Sequence, residues 1–154
     1  MKKWVVFLTV WVVFAGSALG AFQTNAVTRT IDIDALSSDF GDFFWEWNGY
    51  EDVKATITLT NSSGYVTLTG YYGLFRVSRR TTGGSTSNYI DKGTSAVTIS
   101  GYTMQVTIDK TELESMPDDT YLAQWLLLDS ATTNTTLSVG RGKVRLTESL
   151  YDDD

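Results

Sequence analysis

From about residue 27 onward, apolar and polar side chains alternate with a period of two, and Thr, Val, Ile and Tyr are frequent. A period of two sends successive side chains to opposite faces of a strand, and these residue types suit a pleated, half-buried surface. In "VKATITLT", Val53, Ala55, Ile57 and Leu59 face one way, while Lys54, Thr56, Thr58 and Thr60 face the other. "TRTIDIDA" sets Ile31, Ile33 and Ala35 against Thr30, Asp32 and Asp34. Tyr71, Gly73, Phe75 and Val77 share a face in "YYGLFRVSRR". "AVTIS" predicts a further strand, and "YTMQVTID" another with Tyr102, Met104, Val106 and Ile108 on one side.

Punctuation fits the same scheme. "NSSG" predicts a turn in which Gly64 takes a positive φ, and "TTGGSTSN" predicts a flexible loop. "DKTELESMPDD" predicts one short helical turn with Asp109 as N-cap and Pro117, the only proline, as its stop. Two strands then remain. "TYLAQWLLLDS" is apolar on both sides, with Tyr121, Ala123, Trp125 and Leu127 on one face and Leu122, Leu126 and Leu128 around Gln124 on the other. "SVGRGKVRLT" turns Gly142, Val144 and Leu146 inward and leaves Arg141, Lys143 and Arg145 as a basic ridge. Seven or eight short strands, turns about every 8–12 residues and no long helix predict an all-β, immunoglobulin-like two-sheet sandwich, with a small barrel as the other arrangement.

Before the strands, Lys2 and Lys3 precede 19 uncharged residues from Trp4 to Phe22. The small residues Ala18 and Gly20 fit cleavage before Ala21, so residues 1–20 are expected to be a signal peptide or, uncleaved, a membrane-anchor helix. The expected layout is that leader, a sandwich over 21–148 with an aromatic insertion at 39–52, and an acidic tail at 149–154. Export to the periplasm, the cell exterior or the membrane face follows from the leader. Membrane contact is expected only through that segment, if it stays uncleaved.

Composition narrows the chemistry. Cysteine and histidine are both absent, which removes disulfides, Cys-His and Ser-His-Asp nucleophilic sites and the usual zinc site. Without Lys2 and Lys3 the chain has 10 basic against 18 acidic residues, so nucleic acid is not an expected partner. "DIDA", "PDDT" and the terminal "DDD" lack the loop spacing of a calcium site, and no metal or cofactor is expected. Asn61 and Asn134 begin Asn-X-Ser/Thr triplets, which matter only in a eukaryotic secretory pathway.

The order "ITLTNSSGYVTLTGYYGLFRVSRR", "VTISGYTMQVTIDKTELESMPDDTYLAQWLLLDS" and "LSVGRGKVRLT", from Ile57 to Thr147, resembles the immunoglobulin-like N-terminal domain of tailed-phage baseplate upper proteins. The resemblance lies in the turns and strand onsets and brings no catalytic residues. It implies a structural module that attaches receptor-binding or host-interface parts to a virion, so the chain is expected to be a structural or adhesive interaction module, phage- or prophage-encoded, that meets other protein subunits in a virion or at a cell surface. The aromatic segment Asp39 to Asp52 and the leader depart from the family's pattern.

That aromatic segment, "DFGDFFWEWNGYED", sets Phe43, Trp45, Trp47 and Tyr50 beside Asp39, Asp42, Glu46, Glu51 and Asp52. The rings could stack on a sugar in a carbohydrate-binding module, and two of the carboxylates could serve a glycoside hydrolase. The preferred expectation is that Phe43, Trp45 and Trp47 form a lid over Leu122, Leu126 and Leu128. Arg141, Lys143 and Arg145, a ridge that Arg76, Arg79 and Arg80 could join, either keep an edge strand from pairing with a neighbour or dock an acidic partner or an anionic surface polymer. The candidate interaction surface is therefore Phe43, Trp45, Trp47, Tyr50, Arg141, Lys143 and Arg145, on a protein expected to be non-catalytic.

Overall fold

Among the described residues, ten strands divide into two five-stranded sheets that face one another across an apolar core. The computed structural model describes residues 25–37, 39–80, 86–131 and 136–147. The expected leader and acidic tail lie outside the described residues. Among the described residues no helix is long and apolar enough to cross a membrane.

The first sheet contains β1 (Asn25–Asp32), β3 (Val53–Asn61), β7 (Val97–Ser100) and β8 (Thr103–Ile108) in the order β1-β3-β8-β7, with the two-residue β4 (Gly64–Tyr65) paired to β3. The second runs β2-β10-β9-β5-β6, from β2 (Phe43–Asn48), β10 (Thr136–Thr147), β9 (Thr120–Asp129), β5 (Tyr71–Arg80) and β6 (Thr86–Lys92). Two separate sheets make a sandwich and not a closed barrel. β1 pairs parallel to β3, and β2 parallel to β10; the other pairings are antiparallel.

The alternation carries over into burial. Val53, Ala55, Ile57 and Leu59 are fully buried, and Met104, Val106 and Ile108 meet them from β8, Met104 beside Ile57 in register. Burying such side chains stabilises by roughly 1.5–3 kcal/mol each, which is the main support of a chain without disulfides. Gly64 has φ +116°, as the turn requires. Asp109 is the N-cap of α1 (Lys110–Leu113). The Glu112 carboxylate accepts the Asp109 N–H at 3.0 Å and the Lys92 ammonium at 2.5 Å, while Asp52 accepts the Lys110 N–H at 2.9 Å.

Several expectations need correction. β1 stops at Asp32, because the Asp32 carboxylate accepts the Asp34 N–H at 3.0 Å and turns the chain into a 3-10 turn, Ile33–Ala35. Ile33 is therefore only half-buried and Ala35 exposed, though Ile31 reaches the core. Tyr102 stands in the turn before β8 and is exposed. α1 ends at Leu113, ahead of Pro117. Thr86, Ser87 and Asn88, expected in a loop, begin β6, which its polar composition hid: Ile90 is its one buried residue among those whose side chains are described.

Candidate interaction surface

β2 sets the geometry of the aromatic segment. Its alternation is strict: Phe43, Trp45 and Trp47 are 3%, 6% and 0% exposed, whereas Phe44 is 57% exposed and Glu46 is exposed beside it. The inward rings form a continuous series. Phe43 stacks on Trp45 at 4.3 Å between centroids, Trp45 lies 6.4 Å from Trp47, Trp47 6.3 Å from Phe75, and Phe75 4.6 Å from Trp125. These rings thus fill the space between the sheets, on the Trp125 side of β9.

The expected lid is therefore on the wrong face. Leu122, Leu126 and Leu128 point to the outer side of the second sheet, away from the tryptophans. Leu126 is shielded there by its in-register neighbours Leu74 and Ser138, and Leu122 and Leu128 are half-buried. The physical reason is that β2 joins the sheet as a strand, parallel to β10, instead of crossing over it. Hydrogen bonding in register fixes which face its odd positions occupy. Trp45 and Trp47 then present no ring face to a ligand.

The loop before β2 is held by Asp42, a role not apparent in the sequence. Its carboxylate accepts the Ser37 N–H at 2.5 Å and the Arg141 N–H at 2.7 Å. Its own N–H donates to the Arg141 carbonyl at 2.8 Å, and its carbonyl accepts Arg29 Nε at 3.3 Å. One residue thereby ties the loop to β10 and to β1. The other carboxylates of the segment are dispersed: Asp52 holds α1, and Glu46 lies 3.7 Å from Arg145 on the outer face. Of the calcium candidates, Asp32 and Asp34 accept backbone N–H groups, Asp34 from Ser62 at 2.9 Å, and Asp119 pairs with Arg79 at 2.6 Å. Among the described residues no three acidic side chains converge as metal ligands.

The remaining candidates lie outside. Tyr50 is 54% exposed, beside a small cavity that it lines with Gly49, Leu113 and Met116. Lys143 and Arg145 are exposed, and Arg141 is half-buried with its Nε donating to Ser138 Oγ at 3.1 Å. β10 is not an edge strand: it lies between β2 and β9. Protection of an edge is therefore not the reason for its basic ridge. Lys143 sits between Leu122 and Phe44, and Arg145 between Thr120 and Glu46. A shallow, open cavity of about 410 Å³ adjoins the ridge, lined by Arg29, Phe40, Gly41, Phe43, Phe44 and Lys143. Phe40 has φ 56°, an uncommon conformation for a bulky residue.

At the far end of the core, the Tyr121 hydroxyl donates to the Pro117 carbonyl, and the ring meets Tyr89 edge-on at 5.3 Å. Burial first, and the neighbouring Tyr89 second, push the Tyr121 phenol above its ordinary value.

No family model and no curated protein matches the chain. Among solved structures, the N-terminal domain of phage TP901-1 ORF48 has a similar fold, with a TM-score of 0.50 at 8% identity, over 78% of this chain and 98% of that one. The resemblance to phage baseplate domains, drawn from the strand and turn order of residues 57–147, is met at the level of fold.

Proposed function

We propose that this protein is a non-catalytic structural module of a phage particle, joining other protein subunits through an immunoglobulin-type sandwich. The observation that carries the reading is the match over nearly the whole of a phage domain by a chain whose aromatic segment is spent on its own core. A carbohydrate-binding role loses its support with Trp45 and Trp47 enclosed. The dispersed carboxylates give a two-carboxylate hydrolase no pair to use.

The immunoglobulin-type assignment is supported by strand order. One sheet follows the A-B-E-D order as β1-β3-β8-β7, and the other contains C, F and G as β5, β9 and β10, extended by β6. Tyr121 supplies a tyrosine corner at the start of the F strand, its hydroxyl bonded upstream to Pro117. Ala123 then stands where antibody domains have their second cysteine. The parallel strands β1 and β2 are this chain's variation.

On this reading residues 1–20 export the chain or anchor it, residues 21–148 form the module, and 149–154 are a solvated tail. Virion location is testable with an antibody to the chain on density-gradient fractions from a culture encoding it. Co-sedimentation with particles is the expected result. Recovery solely as free protein or in the cell envelope would refute it.

A further inference from the structure

We infer that the outer surface of β10, together with the Arg29/Phe40/Phe44 cavity beside it, is a docking site for an extended acidic segment of a partner protein. The inference rests on the structural-module reading and names the contact through which it would act. Its first observation is topological. Three basic side chains occupy alternate positions of an interior strand, where no edge needs protecting, so their charge has no evident use within the fold.

The second is electrostatic. In a chain of net charge −6, three of the described cations away from β10 are paired with carboxylates: Arg76 with Asp91, Arg79 with Asp119 and Lys92 with Glu112. Among the described residues, the side chains of Arg29, Arg141 and Lys143, like those of Lys54 and Lys110, form no ion pair within 4.0 Å, and Arg145 reaches Glu46 at 3.7 Å between two exposed side chains. The Asp42 carboxylate accepts the backbone N–H groups of Ser37 and of Arg141 itself and forms no ion pair with the Arg141 guanidinium. The surface is thus locally positive on an acidic molecule, which favours a carboxylate-bearing partner.

The third is spacing. Alternate residues of a strand recur about every 6.6–6.8 Å, so an extended peptide with carboxylates at every second position matches Arg141, Lys143 and Arg145 in step. The peptide's intervening side chains lie on its opposite face, while Leu122 and Phe44, in register on either side of Lys143, flank the row of carboxylates, with the open cavity beside it.

The test is fluorescence anisotropy with a labelled ten-residue peptide alternating Glu and Val, a control of the same composition with its five Glu in one block, and inorganic polyphosphate as competitor. The alternating peptide should bind, at least tenfold tighter than the blocked one, and binding should weaken as salt rises. Lys143→Glu with Arg145→Glu should cost at least tenfold again while leaving the melting curve and circular dichroism unchanged; Phe44→Ser should give a smaller loss. Absence of peptide binding, equal binding of both peptides, displacement by polyphosphate at matched charge, or indifference to the double charge reversal would each overturn the docking site. Particle incorporation separates the two proposals. A double variant that enters particles as well as the parent sinks the docking site alone, whereas a parent chain absent from particles sinks the structural role.

Discussion

Phe43 can lie across β10 only because residue 142 has no side chain: a Cβ there would come within 2.3 Å of the ring, a clash that rotamer adjustment of so enclosed an aromatic does not relieve. Gly142→Ala should therefore cost about 1–3 kcal/mol by overpacking, measurable as a lower urea midpoint with unchanged slope. Tyr121 is the second position at which one atom decides. Its buried neutral hydroxyl donates to Pro117, and its raised pKa means that the folded state resists losing that proton. A group of this kind contributes stability that is fully present below its unfolded value of about 10 and is lost as pH rises through the higher folded value. Tyr121→Phe should lower stability by about 1 kcal/mol near neutrality. It should also flatten the fall in stability above about pH 10, seen by comparing denaturant titrations of both proteins across that range.

β2 shows at the scale of an element what the sequence conveys and what it leaves open. Its period of two makes the inward set Phe43, Trp45 and Trp47 legible without coordinates, as does the outward set containing Glu46. Which flank of β9 those rings meet is a different matter, because periodicity defines two faces but not which sheet a strand joins or on which side of a neighbour it pairs. The same gap hid the interior position of β10, since that depends on β2 pairing across some hundred residues of chain. β6 escaped notice because it is held mainly by backbone hydrogen bonds to β5 and shows too little apolar alternation to register. Asp42 was legible as a carboxylate near aromatics but not as a latch, because its partners Ser37 and Arg141 offer backbone N–H groups that no side-chain pattern announces. Asp42→Ala should cost about 2–3 kcal/mol by leaving those N–H groups unpaired, and Asp42→Asn less, since one acceptor oxygen survives. Thermal melts rank the three, and amide hydrogen exchange should show faster exchange at Ser37 and Arg141 in the alanine variant.

For the molecule as a whole, the division of labour between the two sides of the second sheet is the main result of the architecture. Its inner side holds the ring series from Phe43 to Trp125, while its outer side carries the basic row Arg141, Lys143 and Arg145. A chain without cysteine has no covalent staple, so loss of one central ring should be felt by the entire fold. Trp47 is fully buried, yet its Nε1–H, like that of Trp125, meets no acceptor among the described residues. An orphaned buried donor costs about 1–3 kcal/mol, so the ring's net contribution is less than its area implies. Trp47→Ala should nevertheless destabilise by about 3–5 kcal/mol, a large part of the 5–15 kcal/mol expected for a domain of this kind. Trp47→Phe should cost much less, because it surrenders volume but also removes the unpaired donor. Lys143→Glu with Arg145→Glu should change stability by no more than about 0.5 kcal/mol per site, as exposed substitutions do. The contrast is measured by guanidinium denaturation of all three variants against the parent. An alanine variant as stable as the parent would mean that the tryptophan series is dispensable to the core.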